Sequence, residues 1–190
     1  MKYLSIDIEA TGLNENDLII EFAAIPVDSQ NFSCANELAF HSYIKCPSFE
    51  ELEPTLNDWV KVHNKSLIDK AHQQGLALHD FHNELTKYLT NEKITSYFAN
   101  QPIMILGKSI NAIDLPFLNR DLGFDYMRKY FAHRTLDVTS VTMAKIDEGK
   151  IPAECLSGSK LMAHFNMGDV SHTALEDAIN TAKLYFKLIK

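Results

Sequence analysis

Five residues in this chain carry groups that could do chemistry together: Asp7, Glu9, Asp114, His172 and Asp177. Asp7 and Glu9 lie two apart in Ile6-Asp7-Ile8-Glu9-Ala10-Thr11-Gly12. On a strand, residues two apart share a face, so both carboxylates point away from the side of Ile6 and Ile8. Two like charges on one face inside a sheet are costly unless a cation offsets them. An exposed edge strand with solvated acids would carry the same short pattern. Asp114 follows the apolar run PIMILG (residues 102–107) at the start of a helix, a common place for a site in an α/β protein. Helix capping is the other use of an Asp there. Thr173 and Glu176 have the T-x-x-E spacing of a capping box, which starts a helix at Thr173. His172 then lies just before that helix and Asp177 in its first turns, where an acid also complements the helix dipole. A surface role for His172 fits the spacing equally well. No one of the five is specific; the ordered set is.

These residues need elements to position them. YLSIDIE reads as a strand, TGLNEND as a turn and LIIEFAAIPV as a second strand, the pattern of a hairpin. ELAFHSYIKC extends this antiparallel start as a third strand, and Pro47 and Pro54 bracket an irregular stretch. From Asn64 to Glu92 the pattern is helical, with Leu67, Ala71 and Gln74 followed by Leu78, Phe81, Leu85, Tyr88 and Leu89 at helical spacing. PIMILG suits a buried strand. A helix over Leu115–Leu122 holds Pro116 in its first turn, where no amide is needed. HRTLDV reads as a short strand, followed by a helix through Met143 and Ile146. The last helix runs from Thr173 to Ile189. Antiparallel strands followed by alternating helices and strands give a mixed α/β sheet covered by helices. No repeat, linker or composition change divides residues 1–190, so a single domain is expected.

In these motifs the chain resembles the DEDD superfamily of 3′-to-5′ exonucleases, in the DEDDh subgroup whose last motif carries histidine. The first motif, D-x-E-x-T-G, is Asp7 to Gly12; the second is Asn111 to Asp114 with Phe117-Leu118; the third, H-x-x-x-x-D, is His172 to Asp177. The likeness spans nearly the whole chain. Gly107-Lys108-Ser109 stands where many members have Gly-His-Asn, and Ala10 where Thr or Met is frequent. Neither departure removes a metal ligand; both bear on how the terminal sugar and phosphate are held. The resemblance implies a ribonuclease-H-like fold and two divalent cations about 4 Å apart. Oxygen ligands suit Mg²⁺ or Mn²⁺. It assigns metal binding to Asp7, Glu9, Asp114 and Asp177, with Asp7 bridging, and the general base to His172. Thr11, Gly12 and Leu13 would line the pocket of the terminal nucleotide, with Lys108 and Asn111 as further substrate contacts. For Leu13 core packing is an equal alternative, and a solvated lysine is the alternative for Lys108.

The expected activity is therefore release of nucleoside 5′-monophosphates from a 3′ end, DNA or RNA. A non-catalytic nucleic-acid or protein-binding module on the same fold is the competing reading, and it has no need of four carboxylates and a base. With 18 basic and 25 acidic residues the net charge is −7, which disfavours wrapping a duplex and favours single-stranded 3′ ends. No membrane span or signal peptide is expected, and three scattered cysteines fit a cytoplasmic protein. A homodimer or a polymerase partner is left open. Trp59 and Phe117 read as packing, Glu21 as solvent-facing with an accessory carboxylate as the alternative, and His41 as an ordinary residue.

Overall fold

A computed structural model describes residues 1–168 and 173–190. The hairpin at the start of the chain forms as its Ile- and Val-rich arms require: β1 (Lys2–Ala10) and β2 (Ile19–Asp28) pair antiparallel, with Lys2 opposite Asp28 and Glu9 opposite Glu21. The register shifts between Glu9 and Ala10, a bulge at the end of β1 that carries the acids. The third strand expected over ELAFHSYIKC is shorter. A 3₁₀ turn at Asn36–Leu38 takes its first residues, leaving β4 (Phe40–Tyr43); a two-residue β3 (Ser33–Cys34) precedes the turn, and both strands pair with β2.

The stretch bracketed by prolines is not irregular. It holds α1 (Phe49–Leu52), capped by Ser48 and Glu51 in a capping box, and α2 (Asp58–His63). The helical pattern after Asn64 divides into α3 (Lys65–Gln74) and α4 (Leu78–Thr90), because Leu76 leaves the helix to bridge Ile44. There follow α5 (Glu92–Tyr97), β5 (Ile103–Gly107), α6 (Asp114–Leu122), α7 (Phe124–Tyr130), β6 (Phe131–Asp137), α8 (Val138–Asp147), α9 (Gly158–His164) and α10 (Ala174–Ile189). The α5, α7 and α9 helices are short and leave no periodic signal in the sequence.

β5 joins β1 in parallel and β6 joins β5 in parallel, giving the order β3-β2-β1-β5-β6 with β4 also on β2. Both faces are covered. Leu4, Ile6, Ile8 and Phe22 pack against Phe81 and Leu85 of α4 and Phe117 and Leu118 of α6. On the opposite face Tyr3, Ile25 and Leu106 meet Val138 of α8, Leu161 of α9, and Ala178 and Ala182 of α10. Ala174, Ala178 and Ala182, one turn apart and fully buried, let α10 lie close to the sheet. A third cluster joins Ile20 to α1, α2 and α3. Trp59, expected inside, is 50% exposed and stacks on His63 with ring centres 4.5 Å apart. Among the described residues no helix is long and apolar enough to cross a membrane.

Candidate active site

Alternation along β1 sends Ile6 and Ile8 into one core and turns Asp7 and Glu9 to the other face, towards α10. α10 is tied down one residue beyond Asp177: the buried Ser5 hydroxyl donates to the Ala178 carbonyl at 2.7 Å. A strand and a helix distant in sequence thus bring Asp7, Glu9 and Asp177 together, with one carboxylate oxygen from each within 4.8 Å of the others.

Asp114 reaches the same place from β5 and α6. Parallel pairing of β1 with β5 is recorded at Leu4 and Ser5, so the Ile8 amide further along has another partner. It donates to Asp114 Oδ1 at 3.0 Å, and Asp114 is only 4% exposed. Asp114 is thereby fixed to the residue between Asp7 and Glu9. It is the first residue of α6 and not its N-cap.

Crowding shows in the acidities. Burial, then repulsion from Asp114, Glu9 and Asp177, pushes the Asp7 carboxyl well above the ordinary carboxylate range; the Lys108 ammonium pulls the other way. Burial, then Asp177, Glu21 and Asp114, raises Glu9 from 4.5 to about 7. Burial raises Asp114 from 3.8 to about 7, against the Ile8 amide, which favours its charged form. Such a cluster lacks positive charge, and its all-oxygen donors suit a hard divalent cation such as Mg²⁺ or Mn²⁺. Asp7, Glu9 and Asp177 would hold it, with Asp114 beside them.

The other expected residues surround this cluster differently. Thr11 is buried and its hydroxyl closes the turn, donating to Asp17 at 3.2 Å and accepting from the Leu18 amide at 2.9 Å. Gly12 leaves space for the Asp17 carboxylate, which a Cβ would strike. Leu13 is 73% exposed, so it is not core. Lys108 is exposed and passes over Gly158, where a side chain would block its ammonium. Asn111 is exposed and accepts from the Thr135 hydroxyl at 3.0 Å. His172 lies outside the described residues.

One further carboxylate lies where the solvent-facing expectation does not put it. Glu21 is 1% exposed, not solvent-facing. Its Oε2 accepts the Ala174 amide at the start of α10 at 3.1 Å, and its Oε1 shares a 2.5 Å hydrogen bond with Nε2 of His41. The expected capping box is accordingly rearranged. Thr173 is the N-cap, but its hydroxyl donates to the Glu176 carboxylate at 2.9 Å and accepts no backbone amide. The only sequence signal for Glu21 was its place in an otherwise apolar strand.

A family model described as RNase_T, exonuclease, matches residues 4–185. No protein of curated function matches the chain in sequence. Solved structures resemble it in fold. The nuclease domain of 3′hExo, a DEDDh family member bound to rAMP, aligns over 99% of this chain and 91% of its own, with TM-score 0.67 and 15% identity. Cell-death related nuclease 4 (CRN-4) aligns over 99% of this chain and 63% of its own, with TM-score 0.69 and 14% identity. E. coli exonuclease I in complex with a 5cy-dT13 oligonucleotide aligns over 100% of this chain and 40% of its own, with TM-score 0.66 and 18% identity. The chain thus spans less than half of exonuclease I and under two thirds of CRN-4.

Proposed function

The chain belongs to the RNase_T exonuclease family, a DEDD-superfamily 3′-to-5′ exonuclease domain on a ribonuclease-H-like fold, and from that premise we propose a metal-dependent hydrolase of the DEDDh subgroup. Residues 1–190 act as one domain that shortens single-stranded nucleic acid from its 3′ end and releases nucleoside 5′-monophosphates. The observation that carries this reading is the convergence of the Asp7, Glu9 and Asp177 oxygens within 4.8 Å, with Asp114 bonded to the amide between the first two. A binding module has no use for so costly a cluster.

When bound, two Mg²⁺ or Mn²⁺ ions would supply the charge that offsets the phosphodiester and activates water. Asp7, Glu9 and Asp177 would hold them, and Asp114 braces the strand segment that presents the first two. His172 accepts the proton of the attacking water, a task for which an imidazole near neutrality is suited. The water oxygen bonds to phosphorus, the bond to the 3′ oxygen breaks, and that oxygen takes up a proton on the shortened strand. Lys108, beside Asp7, meets the scissile phosphate. Gly12 and Leu13, held out by the turn that Thr11 closes, enclose the terminal nucleotide, and Asn111 contacts it from the opposite wall.

The structural relatives include complexes with rAMP and with a dT13 oligonucleotide, so the test uses matched RNA and DNA. A 5′-labelled strand with Mg²⁺ should give a ladder that shortens one nucleotide at a time, and EDTA should abolish it. A circular single strand should survive. Internal cuts, or linearised circles, would make the enzyme an endonuclease and end this reading.

A further inference from the structure

A groove of about 740 Å³ runs along the free edge of the sheet, between β6 and the α6–α7 pair. One end of it lies next to Asp114 in the chain. Asp114 opens α6, and the next residue of that helix, Leu115, lines the groove; Asn111 lines it too and is bonded to Thr135 of β6. The volume is that of a small-ligand site.

Its charge is the reverse of the molecule's. Acidic residues outnumber basic ones by 25 to 18, yet among the described residues no Asp or Glu lines this groove, while Arg128, His133 and Arg134 do. Neither arginine has an ion-pair partner among the described residues, although Arg120 on the same pair of helices is bonded to Asp121. Phe124 also lines the groove and is 60% exposed, with the Arg128 guanidinium 5.1 Å from its ring centre. Unpaired arginines beside an exposed aromatic ring are what a single strand needs: charge for the phosphates, and a flat face on which any base can stack.

We propose that this groove is the track for the single strand leading away from the scissile end, with Arg128 and Arg134 on its phosphates and a base on Phe124. The inference rests on the exonuclease reading in that the strand's 3′ end lies among the carboxylates. It explains how an acidic protein holds a polyanion: by one narrow path.

The test separates holding from cutting. Fluorescence anisotropy of a labelled single-stranded oligonucleotide is measured in EDTA, where nothing is hydrolysed. The Arg128→Ala/Arg134→Ala protein should bind at least about tenfold more weakly, and its log K against log salt slope should flatten by roughly 0.7 for each phosphate no longer neutralised. Phe124→Ala should lose about fivefold or more without changing that slope. Lys70→Ala/Lys93→Ala, a charge control on the exposed surface away from the groove, should bind as wild type. With Mg²⁺, KM for the long strand should rise in the arginine variant, while a dinucleotide, too short to span to Arg128 and Arg134, should be cut at the same rate. Equal affinity in wild type and arginine variant, equal loss in the lysine control, or no binding by wild type overturns the groove. A wild type that binds through the groove but never shortens the strand removes the catalytic reading and leaves the groove standing.

Discussion

Asp7 has three carboxylates acting on it and one nearby cation, Lys108. Replacing it by Asn removes a charge and changes almost no volume. Two consequences oppose each other in sign. Turnover of Asp7→Asn should fall by about 10³-fold or more, since cation binding is lost with the ligand. Thermal stability in EDTA should rise, because repulsion on Glu9, Asp114 and Asp177 is relieved. Kinetics and a melting curve on one preparation check both, and a variant that keeps most activity removes Asp7 from the centre of the site. For His172→Ala, kcat should drop by about 10² to 10⁴ and the acidic limb of the pH–rate profile should disappear. A near wild-type rate at neutral pH would dismiss histidine as the base. Asp7 and Glu9 were legible in the sequence because a strand has period two and Ile6 and Ile8 fix which face is apolar. The partner of Asp114 was not. That the Ile8 amide turns to it depends on how β1 and β5 are registered, and no local pattern encodes register between strands so far apart.

Elements position those residues, and one of the joints between them lies between β2 and α10. Glu21 sits opposite Glu9 across the hairpin, with like charges side by side, and yet it is buried. It is kept there by the Ala174 amide and by His41. Glu21→Ala strands a buried amide and should cost about 1–3 kcal/mol. Glu21→Gln keeps an acceptor for Ala174 and should recover most of that loss, while lowering the acidity range in which Glu9 titrates. Hydrogen exchange at Ala174 is the discriminating measurement: fast in Glu21→Ala, protected in Glu21→Gln. Equal exchange in the two would show that the bond does not hold the helix. From sequence the long elements were readable, β1, β2, β5 and α10 among them, because each carries a sustained apolar pattern. The short helices α1, α2, α5, α7 and α9 were not, since two turns or fewer are fixed by caps and neighbours and not by their own periodicity. Glu21 itself looked like any glutamate at a strand surface.

At the scale of the whole molecule, the acid cluster makes stability depend on pH. Glu9 and Asp114 keep a proton up to about pH 7 when folded, but in the unfolded chain lose it near 4.5 and 3.8. Between those limits the folded state binds more protons, so stability falls as pH rises and the loss is complete above about pH 7. In EDTA the melting temperature should therefore drop by roughly 5–10 °C between pH 5 and pH 8. Saturating Mg²⁺ at pH 8 should restore it by mass action on the folded state. A flat profile in EDTA would mean that the carboxylates are not crowded. One feature of this architecture also bears on how the protein is made. The bond that seats α10 on β1 joins Ser5 to Ala178, 173 positions apart. Strand β1 leaves the ribosome with two of the acids, but their companion Asp177 follows only when α10 is made. A polypeptide abandoned before that point lacks Asp177 and cannot assemble the three-carboxylate cluster.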